Sequence, residues 1–130
     1  MPASPVAQRI LTLSPAVRYV AIYHRGTLTT ATRPDLANAS SSESDKYEEL
    51  LVNPTLLTLV RQRGNIDCGG LDYVVIRYGS FFEFVAPLDQ GHVSVGLEPS
   101  ADPLPLVPRI LEVVSALLPA AETLSARRGR

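Results

Sequence analysis

The one cysteine of the chain, Cys68, stands directly before Gly69 and Gly70 in the stretch GNIDCGGLDYVVIRYG, residues 64–79. A thiol on a sharp turn is a residue type that can act as a nucleophile, and neighbouring glycines can expose backbone N–H groups to an oxyanion or a phosphate. A nucleophilic Cys68 needs a base within hydrogen-bond reach. The only histidines are His24 and His92, both in β-rich runs and neither close in sequence to the 66–70 loop. Neither phosphate-loop pattern, GxxxxGK[ST] or GxGxxG, occurs here. The stretch also runs from helix to strand, the wrong order for holding an anion at a helix N-terminus. A lone cysteine and two scattered histidines lack metal-ligand spacing. The acid pairs Glu43/Asp45 and Glu48/Glu49 fall at a helix start, where negative charge favours the dipole. Arg61 and Arg63, with Arg127, Arg128 and Arg130, suit a helix end and a solvated tail better than a nucleic-acid footprint. Tyr73, Tyr78, Phe81, Phe82 and Phe84 have the type of a base-stacking platform, but the strand register below turns Tyr78, Phe82 and Phe84 into a core. These residues point to a protein that is not an enzyme, with no cofactor, no metal and no nucleic-acid partner.

The elements that must position these residues follow from pattern. The chain has 130 residues, enough for one domain with a single core and no disulfide. Hydrophobic residues make up 45% and charged ones 19%, so it should fold; the formal charge of −1 provides no field for an anionic partner. Every apolar run is interrupted well short of the roughly 18 residues of a membrane span. The start, MPASPVAQRILTLSP, lacks the pattern of a secretory signal, so the expected setting is the cytoplasm, with no membrane partner.

Residues 5–13 read as a short helix ending at Ser14-Pro15. VRYVAIYHRGTLTTATR then reads as a hairpin turning at Arg25-Gly26. The small polar run 35–45, DLANASSSESD, reads as a mobile loop, with Ser42 and Asp45 resembling a capping box. Tyr47, Leu50 and Leu51 open a helix that Asn53-Pro54 interrupts, with Asn53 suited to a fresh N-cap, so the central segment is one kinked helix or two stacked ones. Leu56, Leu57, Leu59 and Val60 continue it, and Gly64 suits the left-handed residue that closes it. Three strands follow at 72–78, 81–87 and 92–98. A three-residue loop at 79–81 gives Val74, Ile76, Tyr78, Phe82, Phe84 and Ala86 one face and pairs Arg77 with Glu83 on the other. Val93, Val95 and Leu97 should point to the core, with His92, Ser94 and Gly96 pointing away. Leu106, Val107, Ile110, Leu111, Val114, Leu117 and Leu118 mark a closing helix from about Pro103 or Pro105. Pro119 ends or kinks it, and about 120–130 form a flexible basic tail.

The fold class is therefore α+β, a five-stranded antiparallel sheet in the order α-ββ-α-βββ-α, with helices on one face. That order, with the hairpin VRYVAIYHRGTLTT, the central helix, the segment YVVIRYGSFFEFVAPLDQGHVSVGLEPSAD and the last helix, resembles the roadblock and dynein-light-chain family, in a divergent bacterial-type form. The resemblance spans about Gln8 to Leu118 and implies a single roadblock-like domain over 1–130. It departs from the family at Asn53-Pro54, since the family's central helix is usually continuous.

The family's members generally dimerise through the central helix and the third strand, and act as adaptors or regulators of Ras-like small GTPases. The resemblance thus implies a homodimer carried by Tyr47, Leu50, Leu51, Leu56, Leu57 and Val60 on the helix and by Tyr73, Val75 and Arg77 within 72–77 on the strand, with a small GTPase or another protein as partner. Apolar surplus supports an interface independently, in Tyr73, Val75 and Val85 on the expected outer face of the sheet and in Tyr47, Leu51, Leu56 and Leu59 on the helix, because surface of this kind is what a homodimer buries. The competing reading is a small-ligand sensor of PAS or profilin-like architecture, which would need a cavity between sheet and helix.

Overall fold

The structure, a computed structural model, describes residues 2–117. Helix α1 (Ala3–Leu11) leads into the hairpin β1 (Val17–His24) and β2 (Thr27–Thr32), which turns at Arg25 and Gly26, both with positive φ. A central helix follows in three parts: α2 (Ser42–Tyr47), a π-helical turn (Glu48–Val52) and α3 (Asn53–Asp67). The meander β3 (Val74–Arg77), β4 (Phe82–Leu88) and β5 (Gly91–Leu97) comes next, and a 3-10 turn (Leu104–Leu106) opens α4 (Val107–Leu117). All pairings are antiparallel, in the spatial order β2-β1-β5-β4-β3, so the first hairpin docks its β1 against β5 and leaves β2 and β3 as edges.

Side chains alternate across this sheet, and both of its faces are covered. The row Val20, Val95, Phe84 and Val75 points one way and joins Val6, Ala7 and Ile10 of α1 and Val107, Ile110 and Val114 of α4 in the main core. The rows Ala21, Ser94, Val85, Val74 and Tyr19, Gly96, Glu83, Ile76 point the other way, beneath the central helix. The molecule is a helix–sheet–helix sandwich, which corrects the expectation of helices on one face. His92 and Ser94 do leave the main core as expected, but they enter a second buried layer rather than solvent.

The same fact overturns the expected register. The β3–β4 loop is Gly79-Ser80, closed by Tyr78 N–H to the Phe81 carbonyl at 2.9 Å, and Ile76 stands opposite Glu83. The three-residue loop followed from the assumption that a charged side chain must face water. Glu83 instead faces the underside of the central helix at 2% exposure. Arg77 therefore does not pair with Glu83; its guanidinium lies 4.9 Å from the Phe82 ring and donates to the carbonyls of Tyr78 and Gly79. Phe82 and Phe84 do belong to the main-core side, whereas Tyr78 turns to the helix side.

The Asn53-Pro54 break is absorbed without ending the helix. Tyr47, Val52 and Asn53 all keep right-handed helical backbone, so the three parts form one continuous helix. Proline lacks the N–H of an i−4 bond and its ring crowds the carbonyl one turn back. Here the turn before it widens to an i→i−5 bond from Asn53 N–H to the Glu48 carbonyl, which inserts one extra residue into that turn. Asn53 is thus interior and is no N-cap. The cap lies at Ser41, whose Oγ accepts from Ser44 N–H at 3.1 Å, one residue before the expected Ser42. At the other end α3 runs three residues past Gly64. A Cβ at Gly64 would come within 2.9 Å of the Gly70 carbonyl oxygen, so this glycine permits a close crossing, and the left-handed residues are Gly69 and Gly70. The expected tail at about 120–130, with Leu118 and Pro119, lies outside the described residues.

Candidate functional site

Two features of the central helix are candidates for function: its outer surface and the polar layer beneath it. On the outside, Tyr47, Leu50, Leu51, Leu59 and Ile66 are 62, 51, 52, 63 and 75% exposed. Leu59 and Ile66 lie seven residues apart on one stripe of α3. Leu56 and Val60 are half-buried, and Leu57 is 4% exposed, so it is buried within the subunit itself. Tyr73, just before β3, and Val75 pack against the α1/α4 core, while Val74, Ile76 and the fully buried Val85 share the central-helix side, so Tyr73, Val75 and Val85 do not form an exposed outer face. Tyr47, Leu50, Leu51, Leu59 and Ile66 are thus all exposed along the central helix, whereas Tyr73, Val75 and Arg77 lie on the opposite side of the sheet. Strand β3 bonds to β4 alone, leaving its other edge open among the described residues. Ile66 escaped the sequence reading because Gly64 was taken as the helix end, which placed residue 66 in a loop.

Beneath the helix, the π turn aims Glu49 at the sheet. Its carboxylate is fully buried and accepts from Asn53 Nδ2 at 3.1 Å, from Ser94 Oγ at 2.6 Å and lies 2.8 Å from His92 Nε2. Glu48, one residue earlier, accepts from the Tyr78 hydroxyl at 3.1 Å to each oxygen. Burial raises the Glu48 carboxyl above its usual value, with the Tyr78 hydrogen bond opposing it. Burial and the Glu48 charge together push the Tyr78 phenol up to about 12. Glu83 is pushed well above the ordinary carboxylate range, first by burial and then by the charges of Glu49 and Glu48. Tyr19 is held protonated in the same way, by burial and then by Glu49.

This layer opens into a cleft of about 350 Å³ between α2, the loop after β2 and the β3–β4 turn; Tyr19, Glu83 and Gly96 form its floor and Leu36, Glu48 and Phe81 its walls. Gly96 leaves a gap in the row between Tyr19 and Glu83, and a methyl group there would meet both at ordinary contact distance. Arg18, which sits at a bulge in β1, pairs with Glu98 at 3.1 Å and donates to the Ala37 carbonyl at 2.8 Å, tying the loop that edges the cleft to the sheet.

The residues first considered for catalysis are scattered. Cys68 is exposed, with Asp67 Oδ1 3.4 Å from its sulfur. His92 is engaged with Glu49 in the interior, and the buried His24 Nε2 has no hydrogen-bond partner among the described residues. Among these residues no group of three potential metal ligands occurs, and no helix is long and apolar enough to cross a membrane. Arg63 pairs with Asp67 at 2.7 Å one helical turn on.

No family model matches this sequence, and no curated protein matches it. Solved structures do resemble it in fold. A Roadblock/LC7 domain from Streptomyces avermitilis superposes with a TM-score of 0.70 at 16% identity, over 89% of this chain and 94% of that one. The gliding protein MglB from Thermus thermophilus superposes with a TM-score of 0.66 at 14% identity, over 92% of this chain and 87% of that one. The chain has the roadblock fold.

Proposed function

We propose that this roadblock-fold chain is a non-enzymatic, homodimeric interaction module of the cytoplasm, serving as an adaptor or regulator of a Ras-like small GTPase. The observation that carries the reading is the apolar outer surface of the central helix, with Tyr47, Leu50, Leu51, Leu59 and Ile66 each more than half exposed. Surface of this composition is costly to leave in water and suits the core of a protein–protein interface. The open edge of β3 supports it, since an unpaired strand edge is a ready template for pairing with a second copy. Leu56 and Val60, half-buried beside these residues, would complete the contact. The GTPase partner rests on the resemblance to the roadblock family.

The dimer reading is tested by sedimentation at micromolar concentrations, where a monomer would refute it. The partner reading is tested with small GTPases encoded in the same genome, each loaded with GDP or a non-hydrolysable GTP analogue. Binding that depends on the nucleotide supports regulation, and no binding in either state removes the GTPase.

A second reading, the small-ligand sensor, draws on the cleft between the sheet and the start of the central helix. Thermal stabilisation by a member of a metabolite panel, lost when Gly96→Leu fills the floor, would favour it over the interaction module.

A further inference from the structure

The polar layer beneath the central helix leaves two buried groups without a hydrogen-bond partner among the described residues, the Tyr19 hydroxyl and Asn53 Oδ1. Asn53 is fully buried and gives its Nδ2 to Glu49, which leaves its Oδ1 without a hydrogen-bond donor among the described residues. Ser94 has a single hydroxyl proton, and Glu49 receives it at 2.6 Å. Glu83, 2% exposed, shares a sheet face with Ser94, and Asn53 and Ser94 both oppose the upward effect of burial on its carboxyl. A second amide N–H given to Glu83 would still leave Asn53 Oδ1 unsatisfied, and buried acceptors are rarely left so.

Among the described residues no free cation compensates Glu83. From the central helix it is faced by Asp45, Glu48 and Glu49, from β1 by Tyr19 and Arg18, from β5 by His92, and from the β3–β4 turn by Tyr78. Arg18 is committed to Glu98 and the Ala37 carbonyl, and His92 to Glu49.

We infer that Glu83 is protonated in the folded chain and donates to Asn53 Oδ1, so that one amide bridges Glu83 to Glu49 and the Glu83 proton latches the central helix to the sheet. One proton supplies the missing donor and removes a second buried charge. The tight retention expected from burial beside Glu49 and Glu48 agrees with this arrangement. The latch lies in the π turn, so Glu49 and Asn53 have the structural role that the widened turn makes possible. It goes beyond the interaction reading and stands whether or not the chain dimerises.

The sign of its effect follows from linkage. The folded state holds the proton at pH values where the unfolded chain, with a glutamate near 4.5, has lost it. The stabilisation is complete below that value and is lost as pH rises towards the folded midpoint. Glu83→Gln keeps the shape and an N–H donor but does not titrate. In urea titrations, the unfolding constant of the wild type relative to Glu83→Gln should rise close to tenfold per pH unit above about 4.5, then level off at the folded midpoint of Glu83. Carboxyl carbon NMR of the wild type reads that midpoint directly, by through-bond assignment if the variant does not fold, and should place it well above 4.5. A Glu83 carboxyl that titrates at or below 4.5, or parallel stability profiles of the two proteins from about pH 5 to 8, would overturn the inference.

Discussion

Replacing Leu50 and Leu51 together by aspartate should dissociate the proposed dimer while leaving the subunit folded, whereas Leu57→Ala should do the reverse. Leu50 and Leu51 are 51 and 52% exposed, so about half of each side chain remains available to a partner. Full burial of a leucine is worth about 1.5–3 kcal/mol, and the two exposed halves together amount to about one such side chain. A two-fold interface contains each residue twice, which brings the loss to about 3–6 kcal/mol, or roughly 10²- to 10⁴-fold in the dissociation constant. Desolvating the new carboxylates adds to it. Leu57, at 4% exposure, is buried within the subunit; its truncation should cost about 2–5 kcal/mol of subunit stability, independent of protein concentration. Sedimentation equilibrium measures the first effect, and urea unfolding at two protein concentrations separates it from the second. The reasoning fails if the aspartate variant keeps the wild-type association constant, or if Leu57→Ala weakens association without lowering stability.

Gly91→Ala tests the register at the β1–β5 junction. A Cβ there would lie 1.8 Å from the Tyr23 carbonyl oxygen, so the backbone must move, and a loss of about 3 kcal/mol is expected in denaturant unfolding. Unchanged stability would mean that β5 does not pass Tyr23 this closely. Alkaline titration tests the Glu48–Tyr78 contact. The fold raises the Tyr78 phenol from 10 to about 12, so its proton is held more tightly in the folded chain. The corresponding stability is complete below pH 10 and is lost as pH rises through about 12, a loss that Tyr78→Phe should abolish. Absorbance of the phenolate follows the ionisation, and a tyrosine spectrum fully titrated near 10 would contradict the contact.

Element order was legible because hydrophobic period and turn chemistry are local. The 3- and 4-residue spacing of Val107, Ile110 and Val114 and the Arg25-Gly26 turn both appear in the structure where the pattern placed them. The candidate site was legible only in part. Exposure of Tyr47, Leu51 and Leu59 could be read from their surplus over what one sheet can cover, but Leu57 lies five residues beyond the widened π turn, and that turn shifts the helical phase. Side chains that share a face by a 3.6 count across residues 48–52 no longer do so once an extra residue is inserted.

Glu48 and Glu49 were read as dipole partners at a helix start and Glu83 as a cross-strand partner of Arg77, which are local roles, and nothing local marks Glu49 or Glu83 as buried. Their burial depends on a helix closing over the second face of the sheet, which brings Glu49 and Asn53, one helical turn apart, against His92 and Ser94 from a distant part of the chain. The amino-acid sequence by itself determined which segments are helices and strands and where the chain turns, because those preferences are set by neighbours a few residues apart. Which strand register prevails, which face of each strand is dry and how Pro54 is accommodated were decided only by tertiary structure. Those outcomes depend on the free energy of burying polar groups together, which appears only when distant segments meet.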